Sequence, residues 1–284
     1  MMRVNPRLFQ NIAFFFLFLS TLLIIIPVFS ILMVIMKNGM SALHWEFLSA
    51  YPRLGMRAGG IFPAILGTLY LVAGTFIVSL PIGILAAIYL SEYAKGSRFK
   101  RVIEVAIINL AGVPSVVYGL FGLGLFVTFL KFGASILSGS LTLAIMSLPV
   151  IITASREALG TVPQSFREVS LSLGATRWQT VRKAVLPNAL PGILTGAILA
   201  LSRAAGETAP ILFTVAAFYL PRLPRSIFDQ CMALPYHLYV IATQVPNVKP
   251  QIQYGTALVL VLMVLSMNIV AIVIRAQFRK RKLW

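Results

Sequence analysis

The sequence predicts an all-α polytopic membrane protein with six transmembrane helices. Three observations carry that prediction. The chain is 59% hydrophobic and only 11% charged, with a mean hydropathy of +0.91, whereas a soluble domain holds roughly 25% charged residues. Six apolar stretches reach the roughly 20 residues that a helix needs to cross a bilayer core. Lysine and arginine, 24 in all against 7 acids, gather in alternate connections between those stretches. Together these exclude a disordered chain and argue against a soluble globular fold. The lone cysteine, Cys231, leaves no internal disulfide framework and no thiolate metal cluster.

The stretches fall at about 12–36, 61–90, 102–130, 134–154, 189–217 and 255–275. The first follows Arg3 and Arg7, as a signal peptide would. Its apolar run from Ile12 to Met36 is far longer than the 7–15 residues of a signal core, so it reads as a retained span. Sixteen of the cations lie in the N-terminus, the second and fourth connections and the tail. Seven are spread over the other connections, and Arg203 alone falls inside a span. The positive-inside rule then places both termini in the cytoplasm of a multi-pass inner-membrane protein. Much of the net charge of +17 is thereby topological and is weak evidence for a nucleic-acid partner.

Prolines punctuate the spans. Pro81, Pro114, Pro149 and Pro210 each remove a hydrogen bond to the carbonyl four residues earlier, at Ile77, Leu110, Ile145 and Gly206. Freed carbonyls at membrane depth are tolerated where neighbouring helices or a wet cavity satisfy them. So many breaks suit a transporter-like bundle better than a simple anchor.

The fifth span carries Gly192, Gly196 and Ala200 four residues apart, then Arg203 and Glu207. Small residues at that spacing admit a close neighbouring helix, and the stripe predicts that the packed face also bears the charges. Arg203 and Glu207 can pair across one turn. Charged residues at this depth usually face a cavity or a partner. Two readings stay open: mutual neutralisation, or an anion site in which the planar guanidinium meets an oxyanion. Arg156, at the end of the fourth span, is a second candidate, although cations at cytoplasmic helix ends are routine.

The fourth connection reads as a helical elbow. Ser165–Glu168 and Thr176–Gln179 both match a capping box. Gly174 stands where a helix end wants a left-handed residue. These signals predict helices at about 166–173 and 177–186, with Pro187 ending the second. A short insertion holding Glu157 and Glu168 does not suit DNA. An exposed elbow bearing Trp178 suits a groove on a protein partner, or serves as a plain connector.

The elbow's residues bring a resemblance. Glu168-Val-Ser, three residues, Gly174, nine residues and Ala184-Val-Leu186-Pro187 are similar to the EAA loop of ABC importer permeases. Val169 and Ser170 stand for its two alanines and Ala184 for its isoleucine. Leu110–Gly119, Leu201–Pro210 and Ala233–Tyr239 resemble the PstA-type permeases of the phosphate-specific importer. The resemblance implies a type I, MetI-like permease fold. Its domain reading is an N-terminal helix and periplasmic loop at 1–60, with a five-helix core at 61–284 holding the coupling loop at about 155–188. It implies no catalysis and no cofactor on this chain, with ATP bound by a separate ATPase. The implied partners are a PstC-like permease, a PstB-like ATPase dimer, a PstS-like phosphate-binding protein and membrane lipid, without nucleic acid. Arg203, Glu207 and Arg156 would line the path of inorganic phosphate. Glu168, Gly174, Trp178, Leu186 and Pro187 would couple to the ATPase. Molybdate or sulfate is an alternative cargo, since arginine reads any oxyanion. A stand-alone secondary transporter would lack the elbow.

The remaining motifs are quieter. No G-x-x-x-x-G-K-[ST] run is present. Gly119, Gly122 and Gly124 read as packing. His44 and His237 fall in loops without partners at ligand spacing, so no metal is expected. The connection at 218–254, with five prolines and the cluster Tyr236, His237 and Tyr239, reads either as a docking surface or gate, or as a rigid interfacial loop.

Overall fold

A computed structural model describes residues 6–94, 96 and 98–280; Arg3, Lys95, Arg281 and Lys282, counted among the cations above, lie outside them. The chain opens with α1 (Pro6–Gly39) and a 3-10 turn (Met40–Ala42). A short α2 (Trp45–Ser49) and a two-residue ladder of β1 (Pro52–Arg53) on β2 (Ala58–Gly59) lead into α3 (Phe62–Ile88), which ends in a π turn (Tyr89–Tyr93). Next come α4 (Arg98–Ala111), α5 (Ser115–Gly122) with a π turn (Leu123–Phe129), and α6 (Ile136–Gly160). The elbow holds α7 (Gln164–Ser172), α8 (Arg177–Thr180) and a π turn (Val181–Val185). It continues into α9 (Leu186–Gly206) and α10 (Ala209–Thr214), followed by α11 (Leu234–Thr243) and α12 (Pro250–Lys280).

Five helical stretches are long and apolar enough to cross a membrane, and a sixth span results if α4 with α5 is taken as one. The third span expected at 102–130, with Pro114 as its breaker, is split outright: its two halves meet at 103°. Gly112, Val113 and Pro114 make the corner. A residue before proline is driven from the helical region, and Pro114 itself is extended at ψ 142. The fifth span is likewise not one helix to 217. It stops at Gly206, and Glu207 is extended at ψ 134 before α10 begins with Pro210 in its first turn. Pro81 and Pro149, by contrast, stay inside continuous helices.

Two apolar clusters hold the bundle. At the elbow end, Leu90, Leu159, Val185 and Ile193 are fully or nearly fully buried. At the opposite end, Phe47, Leu71, Leu143, Ile211, Leu234 and Ile241 form a larger core. Between them α3 lies along α6 at close range: a Cβ on Gly74 would sit 2.4 Å from Ser140 Oγ, and one on Gly83 would sit 2.5 Å from Ile151. Several buried hydroxyls turn back to their own helix, as Thr75 Oγ1 does to the Leu71 carbonyl at 2.7 Å and Thr142 Oγ1 to Ser138 at 2.7 Å, whereas those of Ser79, Ser140 and Ser155 are buried without a partner among the described residues. Helix α1 is the exception to this packing. Its apolar side chains stay exposed along its length, and it leans on α12 and the 3-10 turn.

The cluster expected on an open loop at 218–254 is corrected. Its residues lie on α11, whose Leu234, Val240 and Ile241 belong to the core, and His237 and Tyr236 are buried with them. Tyr239 alone is exposed, its ring stacked on that of Tyr236 at 6.3 Å. His237 Nδ1 has no hydrogen-bond partner, and burial holds the imidazole down at about 4. The folded state therefore takes the neutral ring. Its stabilisation is present above the unfolded value of 6.5 and is lost as pH falls toward 4. Asp229, held low chiefly by the backbone N–H of Arg225 with that of Ser226 beside it, loses its contribution only below this window. The melting temperature of the detergent-solubilised protein should fall between pH 6.5 and 4, and His237→Leu should flatten that slope.

Cys231 is buried against Gly67, and desolvation pushes its thiol up to about 12. A thiolate is the reactive species. Maleimide at about pH 8 should leave Cys231 unlabelled in the folded protein and label it fully after denaturation, as read by intact mass.

Candidate functional site

The two proline-broken spans meet. Helix α10 lies against α5, and Gly119 is the contact point, where a Cβ would sit 2.8 Å from the Phe213 ring and 3.0 Å from the Ala209 carbonyl oxygen. The Leu110 carbonyl, freed by Pro114, accepts from the Tyr118 hydroxyl at 2.8 Å and from the Val113 N–H at 3.1 Å. The break is thus closed by its own second half. Only Glu207 and Thr208 separate α9 from α10, and the Ala209 carbonyl lies at Gly119, which places the end of α9 beside α5.

Arg203 occupies the last turn of α9, where the carbonyl ends of the helix favour a cation. Its Nε donates to Glu207 Oε1 at 3.1 Å. The pairing expected across one turn is present, but the backbone has already left the helix at Glu207. The geometry differs from expectation in one more respect. Gly192 and Gly196 face Ala158 and Ala154 of α6, and Ala200 is buried, so the small-residue stripe is the packed face. Arg203 continues that stripe but is not covered, its side chain 48% exposed against 16% for Glu207. On an ideal helix Arg203 stands within about 20° of Gly192 and Gly196, so the guanidinium is exposed because this face is not closed at its level, and not because it points away from the face. Among the described residues only its Nε is engaged. The two terminal nitrogens therefore present an unpaired fork, the edge that takes two oxygens of a phosphate or carboxylate.

Arg156 lies elsewhere. Gly192 and Gly196 set α6 against α9 such that Arg156 is level with about residue 194, so Arg203 stands roughly 13 Å further along the axis. Arg156 Nη2 donates to Glu104 Oε1 at 2.6 Å, and Lys100 Nζ approaches the same oxygen at 3.7 Å. An adjoining cavity of about 300 Å³ is lined by Ser91, Lys100, Thr153, Arg156 and Glu157. The structure does not bring Arg156 and Arg203 together. Sequence reasoning missed Glu104 and Tyr118. A signal for Glu104 was present, since an acid is a rare residue in this chain and its placement carries weight.

The elbow agrees with expectation in part. Thr176 and Gln179 form the reciprocal capping box, at 2.8 and 3.3 Å, and Gly174 takes the left-handed conformation at φ +82. Ser165 caps nothing, because Pro163 holds the cap position and fixes the entry to α7. Pro187 does not end the second helix. The π turn before it widens the backbone, and the ring is accepted in the first turn of α9. Glu168, Val169, Leu171, Leu173, Trp178 and Pro187 are exposed, while Leu186 packs against the elbow-end core. An acid, several apolar groups and the cations Arg177, Arg182 and Lys183 thus share one solvent-facing elbow.

Residues 79–283 match the sequence profile of the binding-protein-dependent transport system inner membrane component. The probable ABC transporter permease protein YqgI of Bacillus subtilis is 34% identical over 87% of both chains. The phosphate transport system permease protein PstA 1 of Mycobacterium tuberculosis is 34% identical over 98% of this chain and 92% of its own. In fold, a chain of the MetNI methionine ABC transporter aligns with a TM-score of 0.60 over 77% of this chain and 97% of its own, at 18% identity. A bacterial ABC transporter involved in the import of alginate aligns at 0.66 over 95% and 99%, at 15% identity. With its helix order, broken spans and elbow, the chain belongs to the binding-protein-dependent transport system inner-membrane component family and has the fold of an ABC importer permease.

Proposed function

We propose that this chain is the permease subunit through which, together with a second permease, an ATP-driven importer carries inorganic phosphate into the cytoplasm. The observation that carries this reading is the near full-length similarity to the phosphate permease PstA 1, joined to an arginine whose terminal fork is open. A dianion leaving a binding protein would meet Arg203 at the open face of α9. Glu207 holds the guanidinium through Nε and leaves the other two nitrogens for phosphate oxygens. Half of that environment is exposed, so the second permease would supply the opposite wall. Arg156, with Lys100 and Glu104, would form a separate station nearer the elbow.

The elbow would seat the ATPase, with Trp178, Leu173 and Leu171 as its exposed apolar contacts and Glu168 as its charged one. ATP itself would be bound there and not on this chain. The cation count supports an elbow in the cytoplasm with both termini on that side, and the core at 61–284 as the unit built around the pathway. The remaining partners on this reading are a PstC-like permease, a PstB-like ATPase pair and a PstS-like binding protein.

Two measurements test the assignment of roles. Arg203→Gln should abolish radiolabelled phosphate uptake by the reconstituted complex while all subunits still co-purify; normal uptake would remove Arg203 from the path. Glu168→Ala should reduce the ATPase recovered with the permease, and full recovery with full coupling would leave Glu168 a surface residue only.

A further inference from the structure

Glu92 and Arg167 form the most buried ion pair among the described residues, with each side chain about 10% exposed. Arg167 spends its whole fork. Nε donates to both carboxylate oxygens at 3.2 and 3.1 Å, and Nη2 to Oε1 at 2.6 Å. Nη2 also donates to the Leu159 carbonyl and Nη1 to the Val162 carbonyl, each at 2.9 Å. The Leu159 carbonyl belongs to the last turn of α6, where a helix leaves acceptors without partners and favours a cation, and the Val162 carbonyl to the turn that follows. Glu92 lies in the π turn that ends α3. One side chain from the elbow's first helix therefore binds the ends of two spans.

Cavities flank this tie. A cavity of about 120 Å³ lined by Gln164, Leu171, Arg177 and Thr180 adjoins the pair, and another of about 330 Å³ lined by Ser91, Thr161, Val162 and Pro163 lies beside it. Phe166 packs α7 against the elbow-end core that also holds Ala87 and Ile88 of α3, and the ion pair adds a directional tie to that apolar contact. The covalent links of α7 are the turn at Thr161–Pro163 toward α6 and, through α8, the wide turn at Val181–Val185 toward α9, whose Val181 and Val185 are buried in the elbow-end core. Within the elbow, Ser170 Oγ and Thr180 Oγ1 lie 2.9 Å apart and hold α7 to α8. A fork engaged on both carboxylate oxygens fixes orientation as well as distance. That is the property a lever needs, and more than a tether needs.

We propose that Glu92–Arg167 is a transmission clamp. It makes the elbow and the elbow end of α3 one rigid body, so that displacement of the elbow by a cytoplasmic partner moves the second span instead of being absorbed at the flanking turns. The inference rests on the elbow being the ATPase seat. Both residues act as positioning residues and touch no substrate.

The test uses the complete complex in liposomes. Glu92→Gln and Arg167→Lys should assemble, yet phosphate moved per ATP hydrolysed should fall about tenfold, a size typical of coupling between sites. A purely structural role would lower uptake and hydrolysis together, and an unchanged ratio would overturn the clamp. A second arm needs no transport. Spin labels at Leu173→Cys and Tyr89→Cys, both exposed positions, can be read because Cys231 is buried. With the native pair, their separation should not change when ATP is added; in Glu92→Gln it should shift and broaden. A nucleotide-dependent shift with the native pair in place would overturn the proposal even if the variants failed to assemble. Should the wild-type complex move no phosphate, the substrate reading fails and the label distance alone decides the clamp.

Discussion

The structure depends on one constraint: a backbone carbonyl in apolar surroundings must find a donor. Proline takes one donor away each time, and the chain meets the loss in two ways. At Pro81 and Pro149 the helix runs on. At Pro114 and Pro210 it breaks, and the breaks are useful. The Tyr118 hydroxyl closes the first, and the halves that follow, α5 and α10, pack on each other at Gly119. The end of α9 is left beside this junction with Arg203 in its last turn. The guanidinium proposed to meet the anion is thus placed by the geometry of two broken spans, and the helix dipole and Glu207 stabilise its charge there.

Scarcity of acid does the sorting among the arginines. With only 7 acids for 24 cations, each carboxylate distinguishes the cation it pairs with. Glu92, with the Leu159 and Val162 carbonyls, saturates Arg167 in a buried site, and removing one partner of such a pair would leave an uncompensated charge at a cost of about 3–5 kcal/mol. Glu104 engages Arg156 and Lys100 at a half-open cavity. Glu207 engages one nitrogen of Arg203 and leaves the rest. The degree of saturation separates an arginine that braces the fold from one that can still bind.

Much of this was legible in the sequence because it is local. Span length and apolar content set the helices, and Thr176, Gln179 and Gly174 set the elbow through contacts within four residues. The long pairings were not legible, since Glu92 with Arg167 and Glu104 with Arg156 join residues 75 and 52 apart. The fate of each proline was hidden too. Both breaking prolines follow a glycine, Gly112 or Gly206, within four residues, and glycine gives up helical conformation most readily. Pro163 was another miss: a capping motif at Ser165 was read where a fixed proline φ had already set the helix start. The exposure of Arg203 was hidden for a simple reason. Spacing places a residue on a face, but a neighbouring helix decides whether that face is closed.

On the proposed function, the open fork of Arg203 is where the transported oxyanion is held. The direct measurement is a structure of the assembled complex trapped by ATP with phosphate present. The account predicts an oxyanion within about 3 Å of the Arg203 terminal nitrogens, with Glu207 still on Nε. Phosphate resolved elsewhere in the pathway, with the Arg203 fork turned to lipid or to a carboxylate of the second permease, would contradict it.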